Sequence, residues 1–381
     1  MRPLLAAACF LAAAGPCLAA DDPADSGKSY AIPAAEIVGF DFLVNQFDRH
    51  YLECCDFNSN IHTIRRNLRS SWVVDRDPFL VNQLGHPYQG SMYMGFARAS
   101  GLNYWEGLGY TFLGSAFWET AGEATPPSRN DQIATGIGGS FLGESLFRMS
   151  NLILEHGNLP AWWRELGAAA LSPPTGFNRH AFGDRFRNVF HSHDPLYFTR
   201  LQLGFSGTAD NDTRGTTNGD SGFSTTHLKK GEALGDFLID YGLPGDTRYH
   251  YERPFDYFSL QATMSSANGF ENVLTRGLLK GREYTVGERG RYRGVWGLYG
   301  TYDYIAPQTY QVSATGLSLG TTGQYWASDK VAILGTVLAG VGYTAAGSTR
   351  SLDNRAYHYG LAPYSLAALR FTYGNLCALD L

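Results

Sequence analysis

The spacing of apolar positions changes character near residue 195. Before it, apolar residues recur at intervals of three and four. Ile61, Ile64, Leu68 and Trp72 share one side of a short predicted helix, while Arg65, Arg66 and Arg69 give it a basic face open to water or to an anionic lipid surface. Asp77-Pro78 is a helix start, because Asp satisfies orphan amides and Pro at the first position loses no bond. His86-Pro87 predicts an interruption, since proline lacks an amide and disfavours helical geometry just before it. A second helix then runs to Arg98 with Gly101 as its stop, and a third covers about residues 104–123. Ser128, with Asp131 three residues later, caps a fourth over about 130–156, and Pro160 opens one more through Ala170. Gly139 and Gly143, one turn apart, leave a bare strip on the fourth helix where another backbone can approach closely.

After Asp194 the period becomes two. Tyr197, Thr199, Leu201, Leu203 and Phe205 alternate with Phe198, Arg200, Gln202 and Gly204. Similar segments are expected near 233–241, 255–266, 272–284, 293–304, 309–325, 330–344 and 357–373. The segment beginning at Val331 exceeds the ~9–11 tilted residues that cross a bilayer. Loop clusters separate the strands, including Thr208 to Ser224. The fold class is therefore α+β: a helical block, 59–175, a linker, 176–194, and an antiparallel β-barrel of outer-membrane type over 195–381, with about eight visible strands and possible incompleteness at its end. A soluble β-sandwich is the competing arrangement.

Composition favours the barrel. Charged residues are 17% of the chain against about 25% in an ordinary soluble protein, and the 45 glycines also exceed the usual share. A net charge of −5 argues against wrapping nucleic acid. At the N-terminus, Met1-Arg2, an apolar run and the small-residue end Cys17-Leu18-Ala19-Ala20 have the parts of a signal peptide, 1–20, which places the mature chain in the bacterial cell envelope. A polar lead-in, 21–58, shows no sustained period. Of the cysteines outside the leader, Cys54 and Cys55 are adjacent and Cys377 is distant; one long-range disulfide with a leftover thiol, or three unpaired thiols, are both open.

The densest polar cluster falls inside the helical block. Glu119 and Glu123 are four apart, so a helix places both carboxylates on one face, and with His86 and Asp131 they form a set able to bind a divalent metal or to act as acid and base. Asn82, Ser128, Thr135, Glu144 and Arg148 complete the cluster as a structural polar network, Ser128 capping and Glu144 pairing Arg148. The same network reading applies to His86 and the carboxylates. No H-E-x-x-H or C-x-x-C framework supports zinc, no G-x-S-x-G marks a serine nucleophile, and no cofactor is identified. His191-x-His193 has a metal-like spacing in what reads as a loop.

The run from Trp72 to Phe79, then Asn82-Gln83, His86-Pro87-Tyr88-Gln89-Gly90, Tyr93, Ala97-Arg98 and Gly101, resembles a bacterial family catalogued as a domain of unknown function, DUF3943. The similarity continues through Gly114-Ser115, Trp118-Glu119, Glu123, Pro127-Ser128, Asn130-Asp131, Thr135, Gly138-Gly139 and Gly143-Glu144. It implies an exported, outer-membrane-associated protein with a helical block before a strand-rich region, and supplies no activity. Two functions follow as expectations. One is a barrel whose helical block plugs it or docks on it from the periplasmic side, in contact with outer-membrane lipid and serving envelope structure or passage of a small solute. The other is a membrane-embedded hydrolase or transferase acting on lipid or envelope glycolipid through His86, Glu119, Glu123 and Asp131.

Overall fold

A computed structural model describes residues 27–51, 55–156, 158–207, 231–287, 291–307, 310–347, 355–374 and 377–381. The expected signal peptide, Cys54 and the loop at 208–224 lie outside the described residues. The helical part contains α1 (Ala31–Tyr51), α2 (Ile61–Asn67), α3 (His86–Ala99), α4 (Tyr104–Phe117), α5 (Arg129–Ile133), α6 (Gly139–His156), α7 (Ala161–Leu171) and α8 (Pro173–Phe182). Among the described residues nine strands follow: β1 (Tyr197–Gly207), β2 (Gly231–Tyr241), β3 (Phe258–Ser265), β4 (Gly269–Val286), β5 (Tyr292–Ile305), β6 (Gln311–Ser328), β7 (Val331–Gly347), β8 (Tyr357–Tyr373) and β9 (Cys377–Asp380).

Three corrections to the helical pattern have local causes. The segment read as a polar lead-in holds α1, whose buried side carries Pro33 and Ile37 followed by Asp41 and Asn45, while Val38, Phe42, Leu43, Phe47 and Tyr51 face outward. The buried side is thus apolar for only its first half, too short a stripe to read as helical spacing. The stretch assigned to the linker begins inside α8. At His86-Pro87 the helix is not interrupted: a π-helical turn, Val81–Gly85, runs directly into α3, and His86 N–H donates to Val81 O, five residues back. The wider turn accommodates the proline whose missing amide would break a regular ladder.

The strands form one antiparallel sheet in the order β1 to β9, each paired with its sequence neighbour. Its register sorts side chains onto two faces. One face carries Arg200, Asp236, Asp240, Arg276, Asp303, Thr322, Tyr364 and Arg370. The other carries Leu201, Leu203, Phe205, Trp296, Leu319, Val337, Leu361 and Phe371, with Phe205 91% and Leu203 82% exposed. The polar face is concave. Arg276 of β4 donates to the Tyr364 hydroxyl of β8 at 2.9 Å, a contact across four strands that only an inward curl permits.

The curl brings the ends of the sheet near each other without a ladder. Arg200 of β1 pairs with Asp380 of β9, and Arg370 of β8 with Asp240 of β2. Among the described residues no backbone pairing joins β1 to β9, so the sheet is an open, incomplete barrel. Its interior is occupied by its own side chains, including Leu278, Val295, Tyr299 and Leu338. Cys377 is a free, exposed thiol, so no long-range disulfide forms to it.

The helical block is not a plug. It packs on the convex face, where Ser145 of α6 meets Thr275 at 2.9 Å, the Tyr302 hydroxyl donates to Gln83 O, and Phe79 stacks on Tyr304. A concave interior already filled with paired charges leaves no room for helices. Within the block, Gly139 and Gly143 let α6 press against α3: a Cβ on Gly139 would stand 2.6 Å from Gly90 Cα, and one on Gly143 would stand 2.7 Å from Met94 Cβ.

Block and sheet are also joined by buried charge. Arg148 binds Glu144 and Asp256 at 2.9 Å each, and Glu144 binds Arg98 at 2.7 Å. Arg148→Leu leaves Glu144 and Asp256 buried against fewer cations and is expected to lower stability by about 3–5 kcal/mol, measured by denaturation in detergent. Gly139→Val should cost at least about 1–3 kcal/mol in the same measurement, because the neighbour it meets is backbone and cannot rotate away.

Candidate active site

Three π-helical turns meet in one place. The first, Val81–Gly85, delivers His86; the second, Trp118–Gly122, contains Glu119 and ends at Glu123; the third, Ala134–Gly138, contains Thr135. Such turns insert one residue into a helix and are frequent at functional sites because they re-aim side chains. Their effect here is convergence. One ligand atom each from His86, Glu119 and Glu123 lies within 4.8 Å of the others. Helical spacing alone does not align the two carboxylates, because Glu123 is already extended (φ −109°, ψ 151°).

Each member is held by its own partners. Thr135 Oγ1 lies 3.2 Å from His86 Nδ1; an Nδ1–H donating there leaves the Nε2 lone pair free for an ion or a proton. Glu119 Oε2 accepts from Ser128 N–H at 2.7 Å, while its buried Oε1 has no partner. Glu123 accepts from Trp118 Nε1 at 2.8 Å and from Thr125 Oγ1 at 3.0 Å. It is the half-buried member of the three.

Asp131 stands beside this group without joining it. Its N–H donates to Ser128 Oγ at 3.2 Å, so Ser128 caps α5, and its Oδ1 accepts from Asn130 Nδ2 at 2.9 Å. Asn130 Oδ1 in turn accepts from Asp75 N–H at 2.8 Å and from Ser128 Oγ at 2.9 Å. Asn82 donates to Asp75 Oδ2 at 3.1 Å and to the Tyr357 hydroxyl at 3.0 Å. Sequence reasoning missed Asp75, Gln83 and Asn130 as supports, and Tyr357 and Tyr359, which arrive from β8. Asn130 and Asp75 lay within the resemblance; nothing local connects the tyrosines to the block.

Glu144 and Arg148 belong elsewhere, in the buried ion network with Arg98 and Asp256. His191 and His193 also stay apart from the cluster. His191 Nδ1 lies 3.8 Å from Glu155 Oε1, and His193 adopts a left-handed backbone (φ 60°) in a loop.

Electrostatics set the character of the site. Burial drives the carboxyls of Glu119 and Asp131 well above their ordinary range. It pushes Glu123 up to about 7, against the pull of His86. Burial also lowers His86, against the attraction of Glu123 and nearby carboxylates. Among the described residues no Lys or Arg makes an ion pair with Glu119, Glu123 or Asp131. A divalent cation would supply the missing positive charge. One imidazole with two carboxylates suits zinc, manganese or iron, with Asp131 left over for proton transfer.

A pH dependence follows for the metal-free chain. A carboxyl whose folded pKa is raised favours folding below its unfolded value, near 4.5, and loses that contribution as pH climbs through the folded value, about 7 for Glu123. His86, lowered from 6.5, acts oppositely as pH falls, but three carboxyls outweigh one imidazole. The melting temperature of the metal-free protein should therefore drop between about pH 5 and about pH 8, and the drop should shrink in Glu123→Gln.

Compared with known proteins, residues 71–174 match the family described as Domain of unknown function (DUF3943). Every residue of the cluster falls inside that span. No curated protein and no solved structure matches the chain.

Proposed function

We propose that this chain is a hydrolase or transferase of the bacterial cell envelope, acting on lipid or envelope glycolipid at a divalent metal held by His86, Glu119 and Glu123. The observation that carries this reading is the convergence of those three side chains at the ends of two π turns, with a third turn bringing Thr135 beside them and one buried Glu119 oxygen left without a partner. When bound, the metal would act as a Lewis acid and lower the pKa of a coordinated water. Thr135 orients the imidazole, Ser128 N–H fixes one oxygen of Glu119, and Asp131 is the nearby group able to hold or release a proton.

The surface supports contact with outer-membrane lipid. The sheet turns apolar side chains outward and paired charges inward, the distribution expected of a barrel wall facing hydrocarbon. Helix α1 does the same on a smaller scale, with Asp41 and Asn45 buried and Phe42, Leu43 and Phe47 exposed. No helix of the described residues is long and apolar enough to cross a membrane, so strands rather than helices would hold the protein there. The filled concave interior argues against passage of a small solute and favours an anchoring role for the sheet.

Metal analysis of the purified full chain, followed by turnover on ester-, amide- and phosphate-linked glycolipids, tests this reading. About one divalent ion per chain is expected, with loss of the ion in His86→Ala and a fall in turnover of about 100-fold or more in Glu119→Gln while the fold is kept. Stoichiometric metal binding that survives both substitutions, or full turnover after chelation, would overturn it. An Asp131→Asn variant that binds metal normally but turns over at least about tenfold more slowly separates proton transfer from metal ligation.

A further inference from the structure

Beyond the metal cluster, a cavity of about 200 Å³ opens where the chain leading into the π turn before α3 meets the β7–β8 hairpin. Asp75 and Arg76 line it from the helical block; Tyr343, Tyr357 and Tyr359 line it from the sheet. We propose that this cavity is the subsite for the saccharide ring of the substrate. The proposal rests on the lipid- or glycolipid-directed reading above and narrows it to a glycosylated substrate.

The chemistry of the walls selects the ligand. Tyr343 and Tyr359 stack with centroids 5.3 Å apart and planes 8° from parallel, and Tyr357 stands at 74° to Tyr359, so the rings make an aromatic corner. The hydroxyls of the latter two are already engaged. Tyr359 accepts from Gln83 Nε2 and Asn130 Nδ2 at 2.9 Å each, while Tyr357 donates to Asp77 O at 2.6 Å and accepts from Asn82. What the corner offers a ligand is therefore apolar ring surface, onto which the C–H face of a pyranose packs. Asp75 and Arg76 at its rim supply an acceptor and a donor for the hydroxyls around that ring. A space of this size lies below the ~300–1,000 Å³ of sites for drug-sized ligands and suits one sugar ring.

The cavity is also wired to the metal cluster. Asp75 N–H donates to Asn130, Ser128 Oγ donates to the same oxygen, and Ser128 N–H donates to Glu119. From the other side, Asn82 joins Asp75 and Tyr357 one helical turn before His86. Asn82, Asn130 and Ser128 thus form a hydrogen-bonded layer between the tyrosines and Glu119, so a sugar seated on the tyrosines bears directly on the residues that position the cluster. The ring could arrive free or as the headgroup of a lipid.

Binding of methyl β-glucoside and of octyl β-glucoside below its micelle concentration, measured on the full chain in a detergent without a sugar headgroup, tests the subsite. Saturable binding is expected, weakened about tenfold or more in Tyr343→Ala and kept within about twofold in Tyr343→Phe, which retains the ring. Arg76→Gln should also weaken it. Tighter binding of the octyl glycoside assigns the ring to a lipid headgroup; equal binding assigns it to a free sugar. Absence of saturable binding, or wild-type binding in a folded Tyr343→Ala, overturns the subsite. His86→Ala should lose metal and still bind both glycosides, so a failure of the metal reading leaves its own signature.

Discussion

Buried carboxylates without basic partners are the constraint on which the helical block turns. Taking a charge out of water costs several kcal/mol unless an opposite charge or a proton compensates. Elsewhere in this molecule the cost is offset by arginine: Glu144 and Asp256 share Arg148, Asp303 faces Arg276, and Asp236 faces Arg200. Around His86 that solution is absent. Glu119, Glu123 and Asp131 are gathered by π turns and a capped helix start, and held by amide and hydroxyl donors that satisfy some oxygens and leave Glu119 Oε1 without a partner. Asp41 of α1 is likewise buried without an ion-pair partner among the described residues and keeps an oxygen unpartnered, but around His86 three such carboxyls gather beside one imidazole, and that concentration is what the proposed metal would answer.

The sheet follows the opposite logic. Its charges face inward and close on one another across the curl, while apolar side chains cover the convex wall. In water such an arrangement would expose residues like Phe205 and Leu361 at large cost. Next to hydrocarbon the same arrangement is stable, because the wall no longer contacts water and the strands satisfy their amides laterally. The helical block covers only part of that wall, near the end where β6 begins and β7 finishes, through Gln83 with Tyr302 and Gly138 beside Thr315.

The two halves were unequally legible in the sequence. Alternation with a period of two placed eight strands near their observed positions, β8 at the same limits of 357–373, because one face is apolar along most of each strand and the hairpins leave a simple nearest-neighbour order. The ninth, Cys377–Asp380, is too short to show a period. In the helices the regular periods were visible, but the π turns were not, since an inserted residue shifts the register without any residue type of its own. That is why His86-Pro87 read as a break and why Glu119 and Glu123 seemed to need a straight helix. Helix α1 was hidden for a different reason: after Ile37 its buried side turns polar, with Asp41 accepting from Tyr93 and Asn45 donating to Gly122 O, while Phe42, Leu43 and Phe47 face outward. Partners distant along the chain, such as Arg98 for Glu144 or Tyr359 for Asn130, leave no local trace.

Those distant partners decide how the site is kept in shape. Helices joined only by close glycine contacts can slide on one another, and a π turn is a marginal structure without support. Here the supports come from the strands. Tyr357 and Tyr359 hold Asn82, Gln83 and Asn130 on both sides of the cluster, and Tyr302 takes the carbonyl of Gln83 inside the first π turn. These strand residues point away from the polar interior and toward the block, so the geometry of a site made wholly of helical residues depends on the sheet beside it. The curled sheet thereby does two things: its convex wall carries apolar side chains outward, and one edge of that wall fixes the turns that bring His86, Glu119 and Glu123 together.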